Sequence, residues 1–204
     1  MFKKQVTICA VLFILLSFAG CAKGFERNSV IAAAKKDGMR SITLAGYEKL
    51  CQGGTFYEDV EKYYYVAKDS EEANYVYHKY VGLEENDNVT LNGYVECRDE
   101  TFMDYCLFTA ADNESANKLY DEFVEYCKED VPVISSGKKG GYIYTLGYIS
   151  SKDAPGKMQY FGIYKKGKTV FVISANADTA EERERMESVF KGLGLISPLT
   201  LLSK

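Results

Sequence analysis

Between Asp112 and Lys128 the apolar residues Ala116, Leu119, Tyr120, Phe123 and Cys127 recur three and four positions apart. That spacing is one face of an amphipathic helix. Asp112 or Asn113 is placed to cap its first turn, and Glu114–Lys118 and Lys118–Glu122 form i,i+4 pairs on its polar side. Asp178-Thr179-Ala180-Glu181 reads as a capping box for a last helix with Met186, Val189, Phe190 and, past its end, Leu193 turned inward. A first helix is expected from Asn28 as N-cap, through Ile31 and Ala32–Ala34, to Lys35-Lys36 and a stop at Gly38. Another starts at Thr43, with Leu44, Tyr47 and Leu50–Cys51 on one face, and ends before Gly53-Gly54.

Runs of β-branched and aromatic residues predict strands over 62–67, 102–109, 142–149, 158–165 and 169–175, with a hairpin at Lys166-Gly167. Residues 55–81 carry competing signals. Thr55-x-x-Glu58 has capping-box form, whereas Tyr63-Tyr64-Tyr65-Val66 has strand composition. The reading adopted is a strand at 62–67 followed by a helix from Ser70 to about Val81. Glu84–Asn88 and Gly137–Gly141 read as loops, and Pro132 as a stop. At an offset of 43 residues, Asp69–Tyr77 repeats in outline as Asp112–Tyr120, each an Asp-capped helix with an inward alanine. The expected class is α+β: an antiparallel sheet of four to five strands packed on one face by amphipathic helices.

The start of the chain has a different pattern. Lys3 and Lys4 precede a largely apolar run of 14 residues, Val6 to Ala19, and Phe18-Ala19-Gly20-Cys21 ends the run on small residues and a cysteine. A membrane span needs about 20 apolar residues, so this run is too short, and its order is that of a secretory signal. With cysteine after Ala-Gly it resembles the signal of bacterial lipoproteins. That resemblance implies a diacylglycerol thioether on Cys21, attachment through lipid, and a position on the outer face of the bacterial cell membrane. The organisation expected is a signal peptide at 1–20, a lipidated tether at 21–27 and one domain over 28–204. Ala22 to Arg27 reaches roughly 20 Å when extended, which keeps that domain near the bilayer.

Loss of Lys3 and Lys4 with the signal takes the net charge from −4 to −6. Such a chain lacks the clustered Lys and Arg that nucleic acid or an anionic lipid surface demands, so membrane attachment falls to the lipid. Four cysteines remain besides Cys21: Cys51, Cys97, Cys106 and Cys127. None is in C-x-x-C spacing, which removes thioredoxin-like and zinc-knuckle readings. Disulfides and buried thiols both stay open, and Cys97–Cys106 is the pair a strand-turn-strand would bring together.

Catalytic motifs are absent: no G-x-S-x-G elbow, H-E-x-x-H pair or Gly-rich phosphate loop occurs. His78, the only histidine, has no nucleophile motif beside it. Glu84, Glu85 and Asp87 lack the alternation and glycine of a calcium loop, and no metal or other cofactor is expected. Tyrosine is the unusual residue, at 17 with no tryptophan. Strand alternation puts Tyr142, Tyr144, Tyr148, Tyr160 and Tyr164 on one sheet face, with Ile143, Thr145, Phe161 and Ile163 on the other. An open tyrosine face suits recognition of a protein, peptide or glycan. The alternative is that the N-terminal helices or residues 84–100 cover it.

The helix from Thr43, the strand-helix at Phe102–Lys128 and the hairpin-helix at Lys168–Leu193 resemble small lipoproteins of Gram-positive bacteria, a likeness that brings no activity with it. The function expected is a lipid-anchored, non-catalytic binding or interaction domain near the membrane surface. The alternatives are a cell-envelope enzyme acting on wall polymer or peptide, and a structural subunit of a membrane complex.

Overall fold

The computed structural model describes residues 25–52, 61–82, 88–99, 102–130, 133–150 and 158–203. The signal, Cys21, Thr55–Glu58, Glu84–Asp87 and Pro132 lie outside these. The chain is α+β, and its sheet is larger than expected and mixed. Eight strands run in the order β1-β2-β3-β4-β8-β7-β6-β5: β1 Arg40–Ile42, β2 Lys62–Val66, β3 Leu91–Asp99, β4 Met103–Ala110, β5 Val133–Lys139, β6 Tyr142–Ser150, β7 Met158–Lys166 and β8 Thr169–Asn176. The helices are α1 Arg27–Lys36, α2 Leu44–Cys51, α3 Ser70–Val76, α4 Asn113–Asp130 and α5 Ala180–Leu193, with a π-helical turn at Tyr77–Val81 and a 3₁₀ turn at Pro198–Ser203.

Only β1 and β2 pair in parallel; every other neighbouring pair is antiparallel. A parallel pair needs a crossover, and α2 supplies one, capped where Thr43 accepts from the Gly46 amide. The Gly137–Gly141 segment is not a loop. Gly137 to Lys139 belong to β5, and only Gly140-Gly141 turn, at φ +58° and +82°, the backbone that a type I′ hairpin requires.

The first helix is capped two residues before Asn28, on Glu26, whose side chain makes no capping bond. Burial sets its entry instead. Phe25 before the cap and Val30 in the first turn enter the same apolar cluster, the arrangement of a hydrophobic staple. The helix ends in a Schellman motif: Gly38 at φ +80° lets Met39 N–H reach Ala34 C=O at 3.0 Å, while Gly38 N–H bonds to Lys35 C=O. At the other end of the chain, Thr179 and Glu182 form the capping box of α5, one position later than the sequence reading put it. Asp69 and Asp112 cap α3 and α4 from equivalent positions, and Ala73 and Ala116 are both fully buried.

Helices cover both faces, which corrects the expectation of one covered face. Met103, Tyr105 and Leu107 of β4 point into a cluster with Val30, Met186 and Phe190 of α1 and α5. Phe108 and Ala110 of the same strand join a second cluster with Tyr47, Ala73, Leu119 and Tyr120 of α2, α3 and α4. A sheet that is apolar on both sides needs a helical layer on each.

The tyrosine alternation was read correctly, and its exposure was not. Tyr142, Tyr144, Tyr148, Tyr160 and Tyr164 do share one face, but Tyr142, Tyr160 and Tyr164 are buried and Tyr144 and Tyr148 half-buried. Part of the cover is the N-terminal one weighed from sequence, with Phe25 edge-on to Tyr142 at 6.2 Å beside α1, and the rest is α5 and the C-terminal segment. The Tyr142 hydroxyl accepts from Ile196 N–H at 3.0 Å, and the Tyr164 hydroxyl donates to Ile196 C=O at 2.6 Å. Two phenols thus hold both backbone groups of one residue. The Tyr142→Phe, Tyr164→Phe double variant should keep the core but release residues 195–203, at a cost of about 1–3 kcal/mol. Faster amide exchange confined to that segment would be the readout, and unchanged exchange there would refute the clamp.

Candidate functional site

Register brings a polar row across the face that carries α2, α3 and α4. Tyr63 of β2 lies opposite Arg98 of β3, Arg98 opposite Asp104 of β4, and Asp104 opposite Ser174 of β8. Directly opposed side chains of an antiparallel pair share a face, so these four stand side by side. Gln159 of β7 extends the row, its side-chain amide donating to the Ser174 hydroxyl at 2.9 Å.

Within this row a donor and an acceptor are left over. Arg98 Nε and Asp104 Oδ2 are 3.8 Å apart, an ion pair too long for a hydrogen bond. Roughly half of each side chain is exposed, yet Arg98 Nε and Asp104 Oδ1 are themselves buried and make no hydrogen bond among the described residues. Buried polar atoms are seldom left so. Burial pushes the Asp104 carboxyl up to about 6, with help from Glu96 and against the pull of Arg98 and of a backbone hydrogen bond from Asp99.

Beneath the row is a hydrogen-bonded cluster. Glu96 is buried, and Tyr47 of α2 and Tyr94 of β3 each donate to its Oε2 at 2.6 Å. The Tyr94 hydroxyl also lies 3.6 Å from Cys106 Sγ, and the Tyr47 ring stacks on Tyr65 at 4.6 Å between centroids. Burial, then Glu96, holds the Tyr47 phenol far above its usual range, and burial does the same for Tyr94. Both phenols therefore remain neutral donors, and the cluster is a rigid floor for the row.

Asp104 makes a signed pH prediction. Its carboxyl titrates higher folded than unfolded, so the folded state binds the proton more tightly between the ordinary value of 3.8 and about 6. Stability from this group rises as pH falls through that window and is lost as pH climbs back to 7. Arg98, Glu96 and Asp99 are the charges that bear on it, and Ser174 faces it uncharged from β8. Asp104→Asn should abolish this component and stabilise the fold slightly at pH 7; urea midpoints at pH 5 and 7 test both.

The other sequence candidates do not converge on a site. His78 is exposed on the π-helical turn, edge-on to Tyr77. The four described cysteines are free thiols. Cys97 and Cys106 cannot bridge without rearrangement, because Cys106 lies opposite Glu96 and Cys97 opposite Tyr105. One position of offset puts the two thiols on opposite faces. Burial raises all four, Cys127 to about 11, and at Cys51 the Tyr47 hydroxyl opposes it. A thiolate nucleophile needs the reverse. Among the described residues no group of three or more His, Cys, Asp or Glu is placed to hold a metal ion, and no helix is long and apolar enough to cross a membrane.

Glu48, Tyr75, Lys79 and Tyr80 form a surface cluster that fastens α2 to α3. The Tyr75 hydroxyl donates to Glu48 at 2.5 Å, and Lys79 Nζ sits 4.8 and 5.0 Å from the Tyr75 and Tyr80 ring centres. The Tyr75 and Tyr80 rings meet edge-on, 6.4 Å between centroids.

A groove of about 660 Å³ lies elsewhere, lined by residues of α1 and α5. Small residues wall it, among them Ser29, Ala33, Ser188 and Gly192, and its guanidinium, Arg185, is already bound to Asp37 and Asp99. Volume and chemistry point to different places. The row is the better candidate, because Arg98 Nε and Asp104 Oδ1, both buried and without a hydrogen bond among the described residues, are there.

Sequence reasoning missed the row because β3 was not read as a strand. The signal was present: Glu96 and Arg98 alternate with Val95 and Cys97, and Asp104 follows after the turn. Compared with known proteins, the chain matches no family model, no curated protein and no solved structure.

Proposed function

We propose that this chain is a lipid-anchored, non-catalytic binding domain held through Cys21 at the outer face of a bacterial membrane, with the Arg98–Asp104–Ser174–Gln159 part of the row as its recognition surface. The observation that carries the binding half is the buried pair of Arg98 Nε and Asp104 Oδ1, a donor and an acceptor on adjacent strands without hydrogen-bond partners among the described residues. The raised thiols weigh against an envelope enzyme working through cysteine. The anchoring half rests on Lys3-Lys4, the apolar run and Ala19-Gly20-Cys21. Two acyl chains would serve, since one gives only marginal membrane binding.

Cys21→Ser should stop incorporation of labelled palmitate in growing cells and move the protein out of the membrane fraction. Membrane retention with unchanged labelling would refute the anchor. In cross-linking of the full-length protein on native membranes, Arg98→Ala and Asp104→Asn should each deplete captured material at least tenfold relative to wild type. Capture indifferent to both variants would remove the row as the recognition surface.

A further inference from the structure

Resting on that binding reading, we infer that the row takes the backbone of a short peptide, with Arg98 donating to a carbonyl or terminal carboxylate and Asp104 accepting from a peptide N–H. The two side chains are directly opposed on neighbouring strands, whose spacing is about 4.8 Å. Roughly half of each side chain is exposed, so a ligand that bridges their exposed ends must carry an acceptor and a donor a few ångströms apart. A peptide backbone does so at every residue.

Charge narrows the class further. Arg98 and Asp104 cancel, so the row favours neither a phosphate, which gathers several cations, nor a metal ion, which gathers several carboxylates. Ser174 and Gln159 continue the row with neutral hydroxyl and amide groups suited to a second peptide unit. Val172 of β8, half-buried on the same face, supplies apolar contact for ligand side chains. A glycan is disfavoured for a specific reason. Sugar recognition leans on an exposed aromatic ring, and Tyr63, the aromatic member of the row, is completely buried.

The test uses the full chain in detergent micelles, titrated with trialanine and followed by amide chemical shifts. Trialanine should shift the resonances of Arg98, Asp104 and Ser174 saturably, and Arg98→Ala and Asp104→Asn should each weaken it at least tenfold. Cys127→Ser, on α4 and outside the row, should leave the affinity unchanged. Acetate alone matching trialanine would reduce the row to an anion site and overturn the peptide assignment. Saturation by N-acetylglucosamine but not by trialanine would overturn it in favour of glycan. Shifts confined to the α1–α5 groove, or none with any probe, would also overturn it. The broader binding reading fails separately, through cross-linking indifferent to both row variants.

Discussion

Replacing Arg185 with alanine is expected to destabilise the protein by about 3 kcal/mol. Asp99 is fully buried at the side chain, and Arg185 Nη2 donates to its Oδ2 at 2.6 Å. The same guanidinium grips Asp37 with Nε and Nη2 and lies 4.5 Å above the Phe102 ring. One side chain of α5 therefore ties the end of α1 to the end of β3 and the turn that follows. Removing one partner of a buried pair typically costs about 3–5 kcal/mol. The lower end applies because Lys62 stays 3.0 Å from Asp99. For a chain of this size the loss corresponds to a fall in Tm of roughly 6–12 °C. Arg185→Lys should recover only part, since an ammonium cannot span both carboxylates as the planar fork does. Adding Asp99→Asn to the alanine variant should recover more, by removing the buried charge. A Tm within 2 °C of wild type, about the shift of a single weak surface ion pair, would show that the network contributes little.

Gly162→Ala should cost about 2–4 kcal/mol, which is large for one methyl group. A Cβ on Gly162 would fall 2.5 Å from the Tyr164 hydroxyl oxygen and 2.7 Å from a ring carbon. That ring has nowhere to go. It is fully buried against Tyr142, Phe171 and Phe190, and its hydroxyl donates to Ile196 C=O. Moving it disturbs the core and loosens the C-terminal cover together. Gly192→Ala is the control. Nothing lies within 4 Å of its added Cβ, and its position is helical, so it should stabilise by about 0.5–1 kcal/mol. Denaturant unfolding of both variants reads the two signs. A neutral Gly162→Ala would mean that the β7 face can repack around an extra methyl.

Much of the secondary structure was legible because its signals are local. Thr43, Asp69, Asp112 and Thr179 each cap a helix through bonds that span three residues. The Lys166-Gly167 turn needs only one residue at positive φ, and Gly167 sits at +55°. β3 was harder. Both its faces are covered, so the alternation of Glu96 and Arg98 with Val95 and Cys97 is confined to its second half, and Asn92-Gly93 breaks the run where the pairing with β4 slips. β5 was read as a loop because its glycine and lysines look like a connector; its pairing with β6 makes them a strand.

The candidate row shows the same division. Each member is an ordinary residue in its own strand, and Tyr63, Arg98, Asp104 and Ser174 become a site only when four registers align. The sequence by itself determined the capped helices, the hairpin and the single-faced alternation of the tyrosines, because these depend on neighbours within a turn or two of chain. Only the tertiary structure decided whether that face is open. Ile196 closes it from 54 residues beyond Tyr142 and 32 beyond Tyr164, and no local pattern reports which distant segment will cover a given surface.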